Sequence, residues 1–371
     1  MLISKLRFAL GKITKQFNVT DSINQKSQKK FKRCVLHIGT EKTGTSSIQR
    51  FLTKNRQLFL QDGVLYPSIT GEDGGSQWDF VVCAHNEPWK TDVGKFLGIE
   101  SEDDQDIYRE DLRKKLALEF SANPDADVLI ISSEHMHSRL TNKKNIAQLK
   151  CFLEEWVEKF EVVMYIRRQD RVAVSHYSTK IKSGNTDLFV FPRPIKGDVP
   201  YYFNYELIYD NWSTVFGSQS IQVRLFSSEE WIQGNLVQDF CGACAISSEG
   251  KQIPEAENES LNSKGVDFLR EINRQLPGSI VGEQNEDRDK LTQIISKLCR
   301  GKNIPASRDE AIKFYKPFQE SNERLRIKVF PQRKKTLFSE DFSDYPEKIE
   351  LSKPRYEDAV ELAIRIWKAE H

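Results

Sequence analysis

Short runs of apolar residues alternate with segments of helical periodicity along the first two thirds of this chain. Four runs have the length of buried strands, near residues 34–38, 127–132, 161–166 and 220–226. Apolar positions three and four residues apart predict helices near residues 46–60, 106–121, 143–158, 169–183 and 202–214. This alternation is typical of an α/β protein in which helices cover both faces of a parallel sheet.

From Leu261 onward the patterns are helical. Helices are predicted near residues 261–275, 286–300 and 308–328, and an irregular tail leads to a final helix near 355–369. Two stretches interrupt the alternation as long loops: a polar excursion at about 67–105 and a second loop at 185–200. Long irregular loops in a compact domain are usually functional or mobile.

The first 33 residues form a separate, basic piece. Ile3, Leu6, Leu10, Ile13 and Phe17 recur in steps of three and four, which would place them on one face of a helix. This helix could lie on an anionic membrane surface through residues 1–17, or it could dock on the domain. We therefore predict an N-terminal extension at 1–33, a main domain at 34–330 and a C-terminal tail and helix at 331–371.

Composition excludes several broad classes of protein. The 371 residues include 55 basic and 54 acidic side chains, so the net charge of +1 offers no global attraction for nucleic acid. No apolar run approaches the roughly 20 residues of a membrane span, and the N-terminus lacks the core of a secretory signal. We expect a cytoplasmic protein, with peripheral membrane contact through the N-terminal helix as the alternative.

Six cysteines are scattered through the chain, and Cys241 and Cys244 form its CxxC pair. A zinc site would need a second pair or suitably spaced histidines, and none is near. We expect free thiols, with packing at the end of a helix as the reason for the close spacing, and no metal.

The segment CVLHIGTEKTGTSSIQR, from Cys34 to Arg50, has the layout of an anion-binding loop. A strand at 34–38 enters a turn rich in Gly and hydroxyl residues, and a helix at 46–55 follows. The amides from Thr43 to Ser46 would lie at the N-terminus of that helix, where unpaired N–H groups attract phosphate, and Lys42 adds a full positive charge. In nucleoside triphosphate loops the Lys directly follows the second Gly, but here Thr45 has that place.

A second segment, VVMYIRRQDRVAVSHYSTKIKSG, predicts another phosphate contact. Its strand ends in Arg167 and Arg168, and Ser175 lies eight residues after Arg167 within the following helix. A guanidinium offers two parallel donors to phosphate oxygens, and a hydroxyl adds a short neutral donor. Either Arg could be the ligand, and the spacing favours Arg167.

Together the two segments resemble the sulfotransferases that use 3′-phosphoadenosine 5′-phosphosulfate (PAPS). Lys-Thr-Gly-Thr-Ser resembles their 5′-phosphosulfate loop, and the second segment resembles R-x-x-x-D-x-x-x-S-x-Y with Asp170 displaced by one position. ENESL at 257–261 and ESNERL at 320–325 are similar to stretches of bacterial members. The resemblance covers about 34–330. It implies a three-layer sulfotransferase fold of the P-loop type with a mainly helical C-terminal part.

The resemblance also implies roles for individual residues. Glu41, Lys42, Thr43, Gly44, Thr45 and Ser46 would bind the 5′-phosphosulfate of PAPS, and Arg167 and Ser175 its 3′-phosphate. Lys42 would also stabilise the leaving group, which makes it catalytic. The two long loops would shape the pocket for the acceptor, which we expect to be a saccharide or glycoconjugate.

The catalytic base has three candidates. Bacterial sulfotransferases carry a Ser-Glu pair like Ser133-Glu134, which favours Glu134; His85 and His135 are the alternatives. If the strand near 127–132 continued, Glu134 and His135 would point to opposite faces. Glu134 could instead cap the following helix, and His37 and His135 could be packing residues.

Two other functions are compatible with a nucleotide loop. A kinase-like phosphotransferase would need magnesium and a carboxylate to bind it, and the displaced Lys argues against that class. A non-catalytic member could retain nucleotide binding as a scaffold, against which the presence of Lys42 argues.

Overall fold

A computed structural model describes residues 30–71, 75–192, 199–254, 261–276, 279–280, 283–301, 306–349 and 356–370. They form two compact units. The first comprises the described residues up to Ile166 together with Leu207–Pro254, and the second comprises Arg167–Glu206 and the described residues from 261 onward. The N-terminal helix predicted within residues 1–17 lies outside the described residues, and the predicted domain bounds stay predictions.

The elements follow one another along the chain in an α/β order. Up to the end of the fourth strand they are β1 Phe31–His37, α1 Thr45–Lys54, α2 Arg56–Gln61, β2 Val64–Leu65, α3 Asp79–Ala84, α4 Asp92–Phe96, α5 Glu102–Ala122, β3 Val128–Ser132, α6 His135–Arg139, α7 Lys143–Leu153 and β4 Val157–Ile166. After it come α8 Gln169–Lys182, α9 Tyr205–Phe216, β5 Ile221–Leu225, α10 Leu236–Ala243, α11 Ser263–Gln275, β6 Ser279–Ile280, β7 Glu283–Gln284, α12 Glu286–Leu298, α13 Arg308–Tyr315, α14 Gln319–Val329 and α15 Tyr356–Glu370. The predicted helix at 143–158 ends early because β4 already begins at Val157.

The first unit is built on a five-stranded sheet in the order β2-β3-β1-β4-β5. All neighbouring strands are parallel; in β1, for example, Val35 is opposite Ile130 of β3 and Leu36 is opposite Val162 of β4. The predicted α/β class, with a parallel sheet and a mainly helical C-terminal part, is confirmed. Strand β1 is central, so the residues after it emerge at the middle of the carboxyl edge of the sheet.

Both faces of the sheet are buried, which explains why its strands are continuous apolar runs. On one face Val35, Ile130 and Val163 pack in one cluster with apolar residues of α1, α2 and α10. The alternating residues on the other face, including Leu36 and Met164, are also fully buried. The two layers of helices that the apolar runs predict are therefore present.

A buried polar group ties β4 to α10. The Tyr165 hydroxyl donates to Asp239 Oδ2 at 2.6 Å, and Arg224 of β5 donates to both oxygens of that carboxylate. Burial and the bond to Asp239 raise the pKa of Tyr165. These bonds fix the end of β4 in register beside the residues that follow β1.

The stretch 67–105, predicted as a polar excursion, contains packed helices. In α3 the apolar run FVVCA, from Phe80 to Ala84, is buried throughout. Helix α5 holds it in place, because Tyr108 donates to Asp79 Oδ1 at 2.5 Å and Gln105 donates to the Val82 carbonyl at 2.6 Å. Polar residues on both sides of this short run hid a core element from the sequence analysis.

All six cysteines are free. Cys241 belongs to α10, and Cys244 follows that helix directly; both are buried. Burial raises the pKa of Cys241 to about 12 and that of Cys244 well above its ordinary value. Protonated, packed thiols agree with the packing interpretation of the CxxC pair.

The second unit is mainly helical, and one buried carboxylate organises it. Asp170, fully buried in the first turn of α8, accepts a two-pronged ion pair from Arg168 at 2.7 and 3.0 Å and a hydrogen bond from the Tyr345 hydroxyl at 2.6 Å. Arg168 also donates to the carbonyls of Ser339 and Asp341 and stacks over Phe342. The predicted irregular tail is thus anchored to the start of α8.

Candidate anion-binding site

The loop from Gly39 to Gly44 leaves the central strand and is held by the backbone of the neighbouring strand. The Gly39 carbonyl accepts from the Tyr165 amide at 2.6 Å, and the Thr40 amide donates back to the Tyr165 carbonyl at 2.8 Å. The Thr40 hydroxyl donates to the same carbonyl, and the Thr43 hydroxyl donates to the Thr40 carbonyl at 2.5 Å. The loop therefore has one conformation that β4 and its own side chains determine.

Two glycines allow that conformation. Gly39 and Gly44 have φ of +89° and +74°, a region that side chains with a Cβ disfavour. A Cβ at Gly44 would clash with Leu236 Cδ2 and come within 3.1 Å of Phe226 Cε2, and one at Gly39 would come within 3.1 Å of the Glu134 Cα. Lys42 also has a left-handed backbone, with φ of +67°. A non-glycine residue in this region is uncommon and marks the position as constrained.

Helix α1 begins at Thr45 with Gly44 as its N-cap residue, and no side chain of the described residues caps it. The first amides of a helix have no partner within the helix, and its dipole makes this end partly positive. Lys42, half-buried, precedes this end by three residues. This geometry is compatible with an anion beside the stretch from Lys42 to Ser46, and anion binding there stays a prediction, as does the identity of the anion.

Glu134 lies beside the same loop. Strand β3 ends at Ser132, so Glu134 and His135 enter α6 and are not on opposite faces of a continued strand. Glu134 has helical backbone angles, and its side chain does not cap α6. Gln49 Nε2 of α1 instead donates to Glu134 Oε2 at 2.7 Å. The structure thus brings Glu134 to the first turns of α1.

Gln49 is a site residue that the sequence analysis missed. It is almost fully buried and follows Thr45 by one helical turn, so it lies on the same face of α1 as Thr45. That spacing is a signal which the sequence does contain, but a Gln carries no mark of function without its partner Glu134.

A second missed group holds Glu41. The Glu41 carboxylate accepts from Arg139 Nη1 at 2.6 Å, and the Glu41 amide donates to Nδ1 of buried His137 at 3.3 Å. Arg139 also pairs with Asp92 of α4 at 2.7 Å. Burial alone would lower the pKa of Arg139, but its bonds to Asp92 and Glu41 raise it above the ordinary value. The Glu41 carboxylate is therefore already paired with a positively charged side chain of the protein itself, Arg139.

His85 lies at the C-terminal end of α3. The Glu87 amide donates to His85 Nδ1 at 3.0 Å, and the His85 carbonyl accepts from Gln105. Partial burial lowers the pKa of His85, although the bond from Glu87 opposes that shift. Its ring is therefore neutral near pH 7, with Nδ1 already engaged as an acceptor.

His37 and His135 differ in their surroundings. His37 is fully buried at the end of β1, where Nδ1 is 2.8 Å from the Ser132 hydroxyl and the ring packs edge-on against Phe240. Burial lowers the pKa of His37 to about 3. His135 is the first residue of α6 and is half-buried.

In the second unit Arg167 and Ser175 are both half-buried, just before α8 and inside it. Burial lowers the pKa of Arg167, and the positive charge of Arg171 adds to the effect. The Tyr205 hydroxyl donates to the Arg167 carbonyl at 2.6 Å, which fixes its backbone. Arg168 is engaged by Asp170, and the assignment of Arg167 and Ser175 to a phosphate stays a prediction.

Among the described residues, no three His, Cys, Asp or Glu side chains are grouped so that they could hold a metal ion. Within those same ranges, no helix has the length and apolar character needed to cross a membrane.

Comparisons with known proteins give few relatives. No protein-family model matches the chain. An uncharacterized protein of Archaeoglobus fulgidus is 28% identical over 239 residues, which cover 63% of this chain and 62% of that protein. A sulfotransferase from Alicyclobacillus acidocaldarius, known from its crystal structure, is 14% identical and matches 68% of this chain and 97% of its own with a TM-score of 0.37. At that score the likeness decides neither the fold nor the activity of this chain.

Proposed function

We propose that this protein is a sulfotransferase that moves the sulfuryl group of PAPS to a hydroxyl or amine of an acceptor. The observation that supports it most is the uncapped N-terminus of α1, preceded by the left-handed Lys42, at the end of the central strand β1. The order Lys-Thr-Gly-Thr-Ser in that loop is the order of the sulfotransferase loop, and it differs from that of triphosphate loops.

The position of the loop in the sheet supports nucleotide binding. After β1 the chain continues to β2 at one edge of the sheet, whereas after β4 it continues to β5 at the other edge. Ligands of open α/β sheets bind where adjacent strands send their connections in opposite directions. The loop from Gly39 to Gly44 begins at that place.

In the proposed reaction, an acceptor oxygen or nitrogen attacks the sulfur and forms the new bond to it. The bond from sulfur to the bridging phosphate oxygen breaks, and 3′-phosphoadenosine 5′-phosphate (PAP) leaves. The Lys42 ammonium neutralises the charge that grows on that oxygen, and the amides from Thr43 to Ser46 hold the 5′-phosphate. The proton of the attacking hydroxyl or amine passes to a base.

Glu134 is the base that the structure supports best. Gln49 binds one carboxylate oxygen and orients the group beside the loop, and the other oxygen can accept a proton. In neutral His85, Nδ1 accepts from the Glu87 amide, so the ring proton resides on Nε2 and that nitrogen cannot act as a base in this tautomer. His135 stays an alternative at the start of α6.

The 3′-phosphate is assigned to Arg167 and Ser175 by the resemblance, and the use of Arg168 by Asp170 supports the choice of Arg167. We propose a saccharide or glycoconjugate as the acceptor and the cytoplasm as the location. Both are expectations from the sequence and from its resemblance to sulfotransferases.

The test is transfer from sulfur-labelled PAPS to a panel of saccharide, lipid, phenolic and amine acceptors. We expect Lys42→Ala to reduce transfer at least about 100-fold while PAP binding persists, because loss of one charge-stabilising donor costs about that much. Lys54→Ala, which makes the same change in the last turn of α1, is the control that should retain activity. Binding of PAP without transfer to any acceptor would indicate a scaffold, and phosphoryl transfer from ATP with magnesium would indicate a kinase; either outcome contradicts the proposal.

A further inference from the structure

A cavity of about 500 Å³ lies in the second unit between α8 and the loop that follows it. Its floor consists of Ala173 and Tyr177 of α8 together with Phe203, all of them buried. Its wall is the loop segment 186–192, and Arg274 of α11 lines it as well. This volume falls within the range of small-molecule sites.

The wall is held in place by bonds and ring contacts. The Tyr177 hydroxyl donates to the Asp187 carbonyl at 2.8 Å, and Asn273 of α11 donates to the Asn185 carbonyl at 2.9 Å. Further along the loop, Phe191 stacks on Phe314 with ring centroids 4.9 Å apart. The cavity is therefore formed before any ligand arrives, which lowers the entropic cost of binding.

Two features of the lining indicate the chemistry of the ligand. Leu188 and Phe189 are 48% and 64% exposed at the cavity, an unusual exposure for adjacent large apolar side chains.

The charged residues of the lining are mostly positive. Lys180, exposed on the next turn of α8 after Tyr177, adds one positive charge, and Arg274 adds another that is shared with Glu271. Asp187 is the acidic residue of the lining. The lining thus combines an aromatic surface with a positive rim.

The cavity lies on the side of α8 away from Ser175, which is assigned to the 3′-phosphate. At about 100° per residue, Ala173, Tyr177 and Lys180 share one side of the helix, and Ser175 is on the opposite side. A ligand in this cavity would therefore be separate from one bound by Ser175.

We propose that this cavity binds a small amphiphilic anion, whose apolar body contacts Phe189, Phe203 and Tyr177 and whose carboxylate, sulfate or sulfonate pairs with Lys180. The cavity wall belongs to the loop 185–200, which the resemblance assigns to the acceptor pocket, but the proposed site depends neither on that assignment nor on sulfuryl transfer. It would accept an aromatic or short aliphatic molecule of about the size of two fused rings.

Isothermal titration of the full chain with naphthalene-2-sulfonate tests this, with neutral naphthalene-2-sulfonamide as the matched ligand. We expect one sulfonate per chain and weaker binding of the sulfonamide. Lys180→Gln should weaken sulfonate binding about fivefold, because an exposed ion pair contributes up to about 1 kcal/mol. Lys180→Gln should leave sulfonamide binding unchanged, and Lys297→Gln, an exposed lysine of α12, should leave both unchanged.

Phe189→Ser should weaken the binding of both ligands to the same extent, because it removes apolar surface from the wall of the cavity and leaves the charges unchanged. Phe189 is exposed, so the fold should tolerate the substitution, as thermal unfolding can verify. Saturating PAP should not displace the sulfonate. Equal binding of both ligands to every variant, no binding at millimolar concentration, or displacement by PAP would overturn the proposal.

Discussion

The loop after β1 and the start of α8 both resemble phosphate sites in sequence, yet they use their residues differently. In the loop, the groups that can meet an anion are backbone amides and Lys42, and the surrounding structure fixes their geometry through Gly44 and Tyr165. At the start of α8, Arg168 and Asp170 neutralise each other in a buried pair. Charged residues in a motif can therefore be structural, whereas the glycines of a loop can determine whether a site exists.

The largest effect should come from breaking the pair at the start of α8. Arg168→Ala leaves the carboxylate of Asp170 buried without its main partner, and we expect a loss of about 3–5 kcal/mol in the free energy of unfolding. Arg274→Ala is the matched control. Its ion pair with Glu271 is exposed, with 43% and 48% of the two side chains accessible, so that variant should lose about 1 kcal/mol or less. Equal losses in urea unfolding would show that the buried pair of Arg168 and Asp170 contributes no more than an exposed one and would contradict the structural role of Arg168.

Gly44→Ala should have the next largest effect. The substitution forces a side chain into a left-handed backbone at about 1–2 kcal/mol and presses a methyl group on Leu236 at a similar cost, so we expect a loss of about 2–4 kcal/mol. Gly98→Ala is the control, because Gly98 has nearly the same φ, +71°, and nothing within 4 Å of an added Cβ. It should lose only the backbone part. If the two variants unfold alike, then packing against Leu236 does not fix the loop.

The sequence predicted the sheet well because its strands are buried on both faces. Runs such as VVMYI in β4 have no other common explanation at that length. Strand β2 was missed because two residues show no periodicity, and α3 was missed because its apolar run lies within a polar stretch. Both elements depend on partners distant in sequence, and a local pattern does not contain that information.

The candidate site likewise combines residues that a local sequence pattern indicates with residues that it does not. Lys42, Gly44 and the hydroxyl residues after them are contiguous, so their spacing alone indicated an anion loop. Gln49 and Arg139 were missed because their meaning depends on contacts with Glu134 and Glu41, which lie 85 and 98 residues away along the chain. Propensity and spacing cannot show such pairs.

The burial of His37 at the end of β1 can be tested by measuring stability as a function of pH, without any ligand. The pKa of buried His37 is about 3, whereas an unfolded His titrates near 6.5. Below pH 6.5 the unfolded chain binds a proton that the folded chain does not, so stability should fall with pH by up to about 1.4 kcal/mol per unit until the folded pKa is reached. Between pH 6.5 and 4.5 the loss from this group is about 2.3 kcal/mol, because at pH 6.5 the unfolded His is already half protonated.

His37→Gln keeps an amide in the place of the ring and removes the titration. Its free energy of unfolding should therefore fall less between pH 6.5 and 4.5 than that of the unsubstituted protein. Carboxylates titrate in both proteins, so their contribution cancels in the difference. Parallel pH dependence of the two would mean that His37 is protonated in the folded state and that the end of β1 opens to water.

The smallest expected effect is that of Glu41→Gln on PAP binding. Whether binding becomes weaker or stronger distinguishes two roles of Glu41. If the carboxylate were only a negative charge near the anion, then Glu41→Gln would strengthen PAP binding. If it positions Lys42 by pairing with Arg139, the substitution should weaken PAP binding about threefold to fivefold, since a partly buried ion pair of this kind contributes about 1 kcal/mol. Asp92→Asn makes the same charge change at the other end of Arg139, where the carboxylate is 67% exposed, and should alter PAP binding less than twofold. Stronger PAP binding by Glu41→Gln would therefore refute the positioning role, because the freed Arg139 and the lost negative charge both act in that direction.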